Sequence, residues 1–331
     1  RLGFGNAVAS PYHHVILPLG SRRDVVTEVR WGIADFRRRF GRVPEGMWLP
    51  ETAVDDATLD VLAEHGIAFT ILAPYQVARA PARGLPGLYR TGTGREIALF
   101  VYDGALSHDV AFGAAIKDGT AWARRMLAGA GTANSLVSVA TDGETFGHHH
   151  RFAEMALARM VEDVRHSSAG ALTNFAAVLA AGRPSERVTL VAPSSWSCSH
   201  GVERWRGDCG CRVAPEKGWH QRWRAPLREA VEWLAGELHA LYDREAGALL
   251  ADPWAARDAC GEVDVHDGAT TAAVVVAHAG RALSDAEVVR ARELLEMERN
   301  ALRLFTSCAW FFDDVGGLEP LQVLRYAARA I

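Results

Sequence analysis

Between residues 46 and 192 the chain alternates short apolar runs with amphipathic stretches, and this alternation restricts the fold more than any other feature. Residues 46–51, 69–72, 97–103, 135–140 and 188–192 read as strands, rich in Val, Ile, Leu and Phe and ending in small, acidic or Pro residues. Helices are predicted over 55–65, 109–128, 152–164 and 173–181, after an earlier one over 27–40 whose buried face carries Val29, Ile33, Phe36 and Phe40. Gly41 and Gly66 close two of them. The Gly- and Pro-rich segment 77–94 reads as a loop. Alternation of this kind forces a parallel sheet with right-handed crossovers, and chemistry gathers at the C-terminal ends of its strands. Glu51, Asp103, Asp142 and residues 194–196 are therefore expected on one rim. Beyond residue 215 the strand signal fades, and helices are predicted over 223–246, 285–305 and 321–330, with Ser284 as an N-cap. The expected organisation is an α/β catalytic domain over 1–215 followed by a helical domain over 216–331.

Composition excludes several partners. A formal net charge of -4 lacks the basic face that nucleic acid requires. No apolar run approaches the roughly 20 residues that span a bilayer, and no secretory leader opens the chain. The five cysteines form no disulfide framework, so a reducing cytoplasm is the expected location. Cys209-Gly210-Cys211 has no second Cys pair at zinc-site spacing, and neither a metal nor another cofactor is expected. Arg1 stands where a Met would, and the chain reads as a piece of a longer polypeptide lacking an N-terminal strand. Nothing in the sequence indicates an oligomeric state.

The chemistry centres on Ala140-Thr141-Asp142-Gly143-Glu144-Thr145-Phe146-Gly147-His148-His149-His150. Two carboxylates and three histidines pack poorly and transfer protons well, although a solvated polar turn has the same composition. Glu51 and Asp142 form a pair because each follows a predicted strand. One carboxylate of such a pair can attack a sugar carbon while the other protonates the leaving oxygen; alternatively, each caps the helix after it. Trp48, Trp196, Trp205 and Trp310 lie beside the polar motifs, where flat rings suit sugar faces. Sugar stacking is expected of at most two of them.

Three segments are recognisable together: Gly46-Met47-Trp48-Leu49-Pro50-Glu51, the run from Thr141 to His148, and His14 followed by Val15-Ile16-Leu17-Pro18. They resemble successive motifs of glycoside hydrolase family 57. Ser195-Trp196-Ser197-Cys198-Ser199-His200-Gly201-Val202-Glu203-Arg204-Trp205 looks like that family's Trp-containing loop, and Thr306-Ser307-Cys308-Ala309-Trp310-Phe311-Phe312 like its last motif. The likeness covers nearly the whole chain and is closest to a branch with a C-terminal domain of unknown function. It implies an incomplete (β/α)7 TIM-like barrel followed by the helical domain, and retaining cleavage or transfer at α-glucosidic bonds of an oligo- or polysaccharide.

By the resemblance, Glu51 matches the nucleophile and Asp142 the general acid/base. His14, Trp48, Glu144, His148, Trp196, His200 and Trp310 are the implied substrate-binding residues, with Glu144, His14 and His148 also tuning the pair. A retaining mechanism expects the carboxyl groups about 5–5.5 Å apart. The sequence departs from the family in lacking the His-Gln-Pro motif, in Ala309 where an acid often stands, and in Cys198 and Ser199, where several relatives have Gly and Glu or Gly. Two other readings remain: a metal-dependent carbohydrate deacetylase or mannosidase, with Asp142 and two of His148, His149 and His150 on Zn²⁺, and a non-catalytic glycan-binding protein.

Overall fold

The computed structural model describes residues 4–130, 134–263 and 268–331. Helix α1 (Arg22–Phe40) starts five residues before the predicted helix because the Ser21 hydroxyl accepts the Asp24 N–H, and it ends at Gly41 with φ +65°. Phe40, expected on the buried face, is exposed at that end, where its ring meets only that of Phe36 among the described aromatic rings. Asp55 caps α2 (Asp56–Glu64) in the same way. Strand β1 (Phe69–Leu72) runs parallel to β3 (Glu96–Val101), pairing Phe69 with Ala98 and Leu72 with Val101. Strand β2 (Gly87–Arg90) pairs antiparallel with β3, giving the order β1-β3-β2. Segment 77–94 is thus partly strand: four residues between Pro and Gly are too short to show a period, and β3 supplies the pairing.

The paired strands among the described residues are these three. The other expected strands are extended segments held at single points. Ala9 bridges Met47 and Gly46 bridges Phe69, both parallel. Residues 9, 46–47, β1 and β3 therefore lie side by side in chain order. The Asp103 N–H donates to the Ser138 carbonyl at 2.8 Å, which brings segment 135–140 to the exit of β3. Segment 188–192 behaves differently, since Leu190 bridges Val77 antiparallel. The predicted helix over 109–128 is two, α3 (Gly104–Phe112) and α4 (Gly119–Gly129). Gly113 ends the first, and the Asp118 side chain caps the second through the Ala121 N–H.

After α5 (Ala153–Arg165) and α6 (Phe175–Ala181) the chain is helical: α7 (Arg224–Ala246), α8 (Pro253–Ala259), α9 (Gly268–Ala277), α10 (Asp285–Arg303), α11 (Cys308–Phe311) and α12 (Leu318–Ala330). One core lies under the sheet, with Val29, Met47, Leu59 and Leu99 fully buried. A second joins the helical region to the first half of the chain, packing Ile16, Trp31 and Ala53 with Leu238, Tyr242 and Leu294. Trp31, 1 % exposed, donates its indole N–H to the carbonyls of Arg257 and Asp258. Packing therefore crosses residue 215. Among the described residues no helix is long and apolar enough to cross a membrane.

Candidate active site

Glu51 lies in a single turn, Pro50–Thr52, at the exit of the 46–49 segment. Pro50 ends the extended run because it has no N–H for a ladder. Glu51 and Thr52 then take φ of +57° and +48°, and His14 takes +48°. Left-handed backbone at residues with a Cβ costs on the order of 1–2 kcal/mol each and is held only by its surroundings. Here the Glu51 carbonyl accepts the Trp196 N–H at 2.9 Å, and Val54 and Ser194 pair just beyond. The turn directs the Glu51 carboxylate at the loop that follows residue 194. Glu51 Oε2 accepts the Trp196 indole N–H at 3.0 Å and the Ser197 hydroxyl at 2.5 Å.

Asp142 lies within electrostatic reach of this carboxylate. Its pKa is raised above the usual aspartate range, first by desolvation and then by the negative charges of Glu51 and Glu144; His149 and His14 pull the other way. The residue as a whole stays exposed, so the desolvation is partial and the two carboxylates act in the same direction. His14 is tied to the last motif: its Nδ1 lies 2.7 Å from the Ser307 hydroxyl, and the Ser307 N–H donates to its carbonyl at 3.0 Å. Cys308, one residue on, has its thiol pushed up by burial and then by the charge of Glu51. The Trp48 and Trp196 rings meet edge to face with centroids 5.1 Å apart, beside Tyr102. An open cleft of 580 Å³ lies beside Trp196 and Ser197, walled by Tyr75, Arg204 and Arg212.

A family model described as glycosyl hydrolase family 57 matches residues 5–189, more than half of the chain. The chain belongs to glycosyl hydrolase family 57. A second model, a domain of unknown function (DUF3536), matches residues 219–331. A search of curated proteins finds no match. Among solved structures the chain is similar to an exo-type maltose-forming amylase from Pyrococcus sp. ST04, at 15% identity and TM-score 0.75 over 98% of this chain and 61% of that one. An α-amylase from Thermotoga maritima gives 15% and 0.62 over 98% and 65%, and a branching enzyme from Pyrococcus horikoshii 16% and 0.61 over 99% and 63%. This chain thus spans less than two thirds of each of the three. At such identities the likeness speaks for a shared fold.

Within this family 57 chain, the residues expected to bind substrate fall into two groups. Trp196 donates to Glu51, the Trp48 ring meets that of Trp196, and the charges of Glu144 and His14 act on Asp142. Trp310 does not offer a sugar platform: it is fully buried in the helical core, its indole N–H donating to the Arg224 carbonyl at 3.1 Å. Ala309 before it is 1 % exposed, and α11 packs as core. His148 is exposed, with its ring 5.3 Å from that of His149. His150 Nε2 lies 2.9 Å from the Ala111 carbonyl, so it is engaged away from Asp142. Among the described residues Asp142 and these histidines form no cluster of metal-ligand geometry, which the deacetylase reading needs.

His200 stands instead with Cys198, Cys209 and Cys211, all four ligand atoms within 4.8 Å of one another. The sequence reading weighed Cys209 and Cys211 alone. Ser197, Ser307 and Tyr75 were also missed as site residues. Ser197 and Ser307 sit inside motifs already singled out, but a serine has no distinctive spacing. Tyr75 follows the exit of β1, where strand-end logic could have found it, and its hydroxyl donates to the Trp196 carbonyl at 2.6 Å.

Proposed function

We propose that this family 57 chain is a retaining α-glucan-acting enzyme, a hydrolase or glucanotransferase, in which Glu51 is the nucleophile and Asp142 the general acid/base. The observation that carries the reading is electrostatic. Glu51 receives two hydrogen bonds on one oxygen, which fix the direction of its carboxylate. Asp142, under the charge of Glu51 and Glu144, is biased toward its protonated form. An oriented carboxylate and a second carboxyl group biased toward holding its proton are what the first half of a retaining displacement needs.

The Glu51 carboxylate attacks the anomeric carbon, and Asp142 gives its proton to the departing glycosidic oxygen. Asp142, now ionised, takes a proton from water or from a sugar hydroxyl as that oxygen displaces Glu51. Trp48 and Trp196 offer rings to the sugar beside the carboxylates, and His14, fixed by Ser307, supplies a polar wall. The row of parallel segments from residue 9 to β3 and segment 135–140 fits successive strands of a (β/α)7 barrel with this pair at its mouth. The similar structures are those of amylases and a branching enzyme, in keeping with an α-glucan as substrate.

The test is product analysis on maltooligosaccharides, amylose and glycogen. New reducing ends identify hydrolysis, and altered chain lengths or branch points without them identify transfer. Activity that disappears in both Glu51→Gln and Asp142→Asn supports the assignment. Turnover surviving in both variants, or none on any α-glucan, refutes it.

A further inference from the structure

Two short pairs meet beside the nucleophile's loop. Cys198 and His200 flank Ser199, and Cys209 and Cys211 flank Gly210. Each pair has a single residue between its two ligands, and the local turns bring all four ligand atoms within 4.8 Å of one another. Gly210 takes φ +84°, a conformation in which glycine carries no Cβ penalty. This spacing is tighter than that of common zinc motifs, and for that reason the sequence did not disclose the site.

The separations match a tetrahedral ion. Zinc–sulfur and zinc–nitrogen bonds of about 2.3 and 2.05 Å at tetrahedral angles put sulfurs about 3.8 Å apart and a sulfur about 3.6 Å from a nitrogen. Cys198 Sγ lies 3.9 Å from Cys209 Sγ and 3.8 Å from Cys211 Sγ, and Cys211 Sγ lies 3.6 Å from His200 Nδ1. A disulfide would bring two sulfurs to about 2.05 Å, and all the cysteines are free. The surroundings suit thiolate ligands as well. Arg224 donates to the Cys211 carbonyl at 3.1 Å, and Arg204 to the Ser197 carbonyl at 2.9 Å. Such outer groups orient ligands and offset the excess charge of three thiolates.

We propose that Cys198, His200, Cys209 and Cys211 bind one structural Zn²⁺ that fastens the Trp196–Ser197 loop in place against Glu51. A closed site of four protein ligands leaves no position for water, so the ion positions and does not react. Its mechanical reach is short: Cys198 follows Ser197 directly, and Ser197 and Trp196 are the donors to Glu51. The effect on Glu51 rests on the glycosidase reading, whereas binding of the metal does not.

The experiment is elemental analysis of the chain purified under reducing conditions without chelator. About one zinc per chain is expected. After removal of the metal, addition of Co²⁺ to the same wild-type chain should produce the intense thiolate-to-cobalt absorption and the visible bands of a tetrahedral site. Cys209→Ser with Cys211→Ser should abolish both. Withdrawal of zinc should also expose the 198–212 loop to trypsin at Arg206 and Arg212. A chain that takes up neither zinc nor Co²⁺, that holds another metal stoichiometrically, or whose unreduced peptide map contains a disulfide among Cys198, Cys209 and Cys211, overturns the proposal. None of these measurements needs a glycan, so failure here is distinct from failure of the enzymatic assignment.

Discussion

Ser197 Oγ donates to Glu51 Oε2 at 2.5 Å, joining residues 146 positions apart. The serine reaches the carboxylate because Trp196 pairs its backbone N–H with the Glu51 carbonyl and its indole N–H with the same oxygen. Three bonds therefore hold a glutamate whose backbone is in the left-handed region. The strain stays local, in one turn between a buried Leu49 and a buried Val54.

Removing one of those bonds should impair the reaction without unfolding the chain. A hydrogen bond to a charged group contributes about 1.5–3 kcal/mol. Ser197→Ala is expected to lower kcat/KM on an α-glucan by about 10- to 100-fold, with thermal stability little changed. Steady-state kinetics beside a melting curve checks this. An unchanged kcat/KM would mean that the bond does not hold the nucleophile.

The charge of Glu144 helps to keep Asp142 protonated. Since a general acid must carry its proton, the alkaline limb of the pH profile should follow the raised Asp142 pKa. Glu144→Gln removes one of the repelling charges, lowers that pKa, and should move the alkaline limb of kcat/KM to lower pH. A profile that stays in place, or moves to higher pH, would contradict the assignment of Asp142.

Stability should respond to pH through His239, whose ring contacts Glu298 at 2.9 Å and Asp24 at 3.6 Å. Burial alone would depress this imidazole, but its hydrogen bonds and charge pairing with the two acids push it up to about 9 from 6.5. A raised folded-state pKa stabilises in full below the unfolded value and is lost as pH rises through the folded one. The melting temperature should thus fall between about pH 6.5 and 9, and His239→Gln should flatten that fall. Melting curves of both proteins across this range provide the check. An equally steep decline in the variant would place the pH dependence elsewhere.

Trp31 joins the α/β region to the helical one, fully buried and bonded to two carbonyls of α8. Trp31→Ala should cost about 3–5 kcal/mol. Because that ring lies in the shared core, chemical denaturation should shift as one transition to lower denaturant. Two separated transitions would show that the regions unfold independently.

By itself the sequence determined the helix caps and the motifs that mark the family. Ser21 and Asp55 cap their helices because a short acceptor side chain reaches the orphan N–H groups one turn on, and that needs nothing beyond neighbours in sequence. The motif resemblance likewise singled out Glu51, Asp142 and His14. Only the tertiary structure decided what depends on distant contacts. Strand β2 exists because β3 pairs with it, and Trp310 is core because Arg224 accepts its indole N–H. Cys198 and His200 join Cys209 and Cys211 because the chain folds back over eight intervening residues. Periodicity and capping are local properties of a chain, whereas side-chain partnership follows from how surfaces are buried against one another, and no spacing along the sequence encodes that.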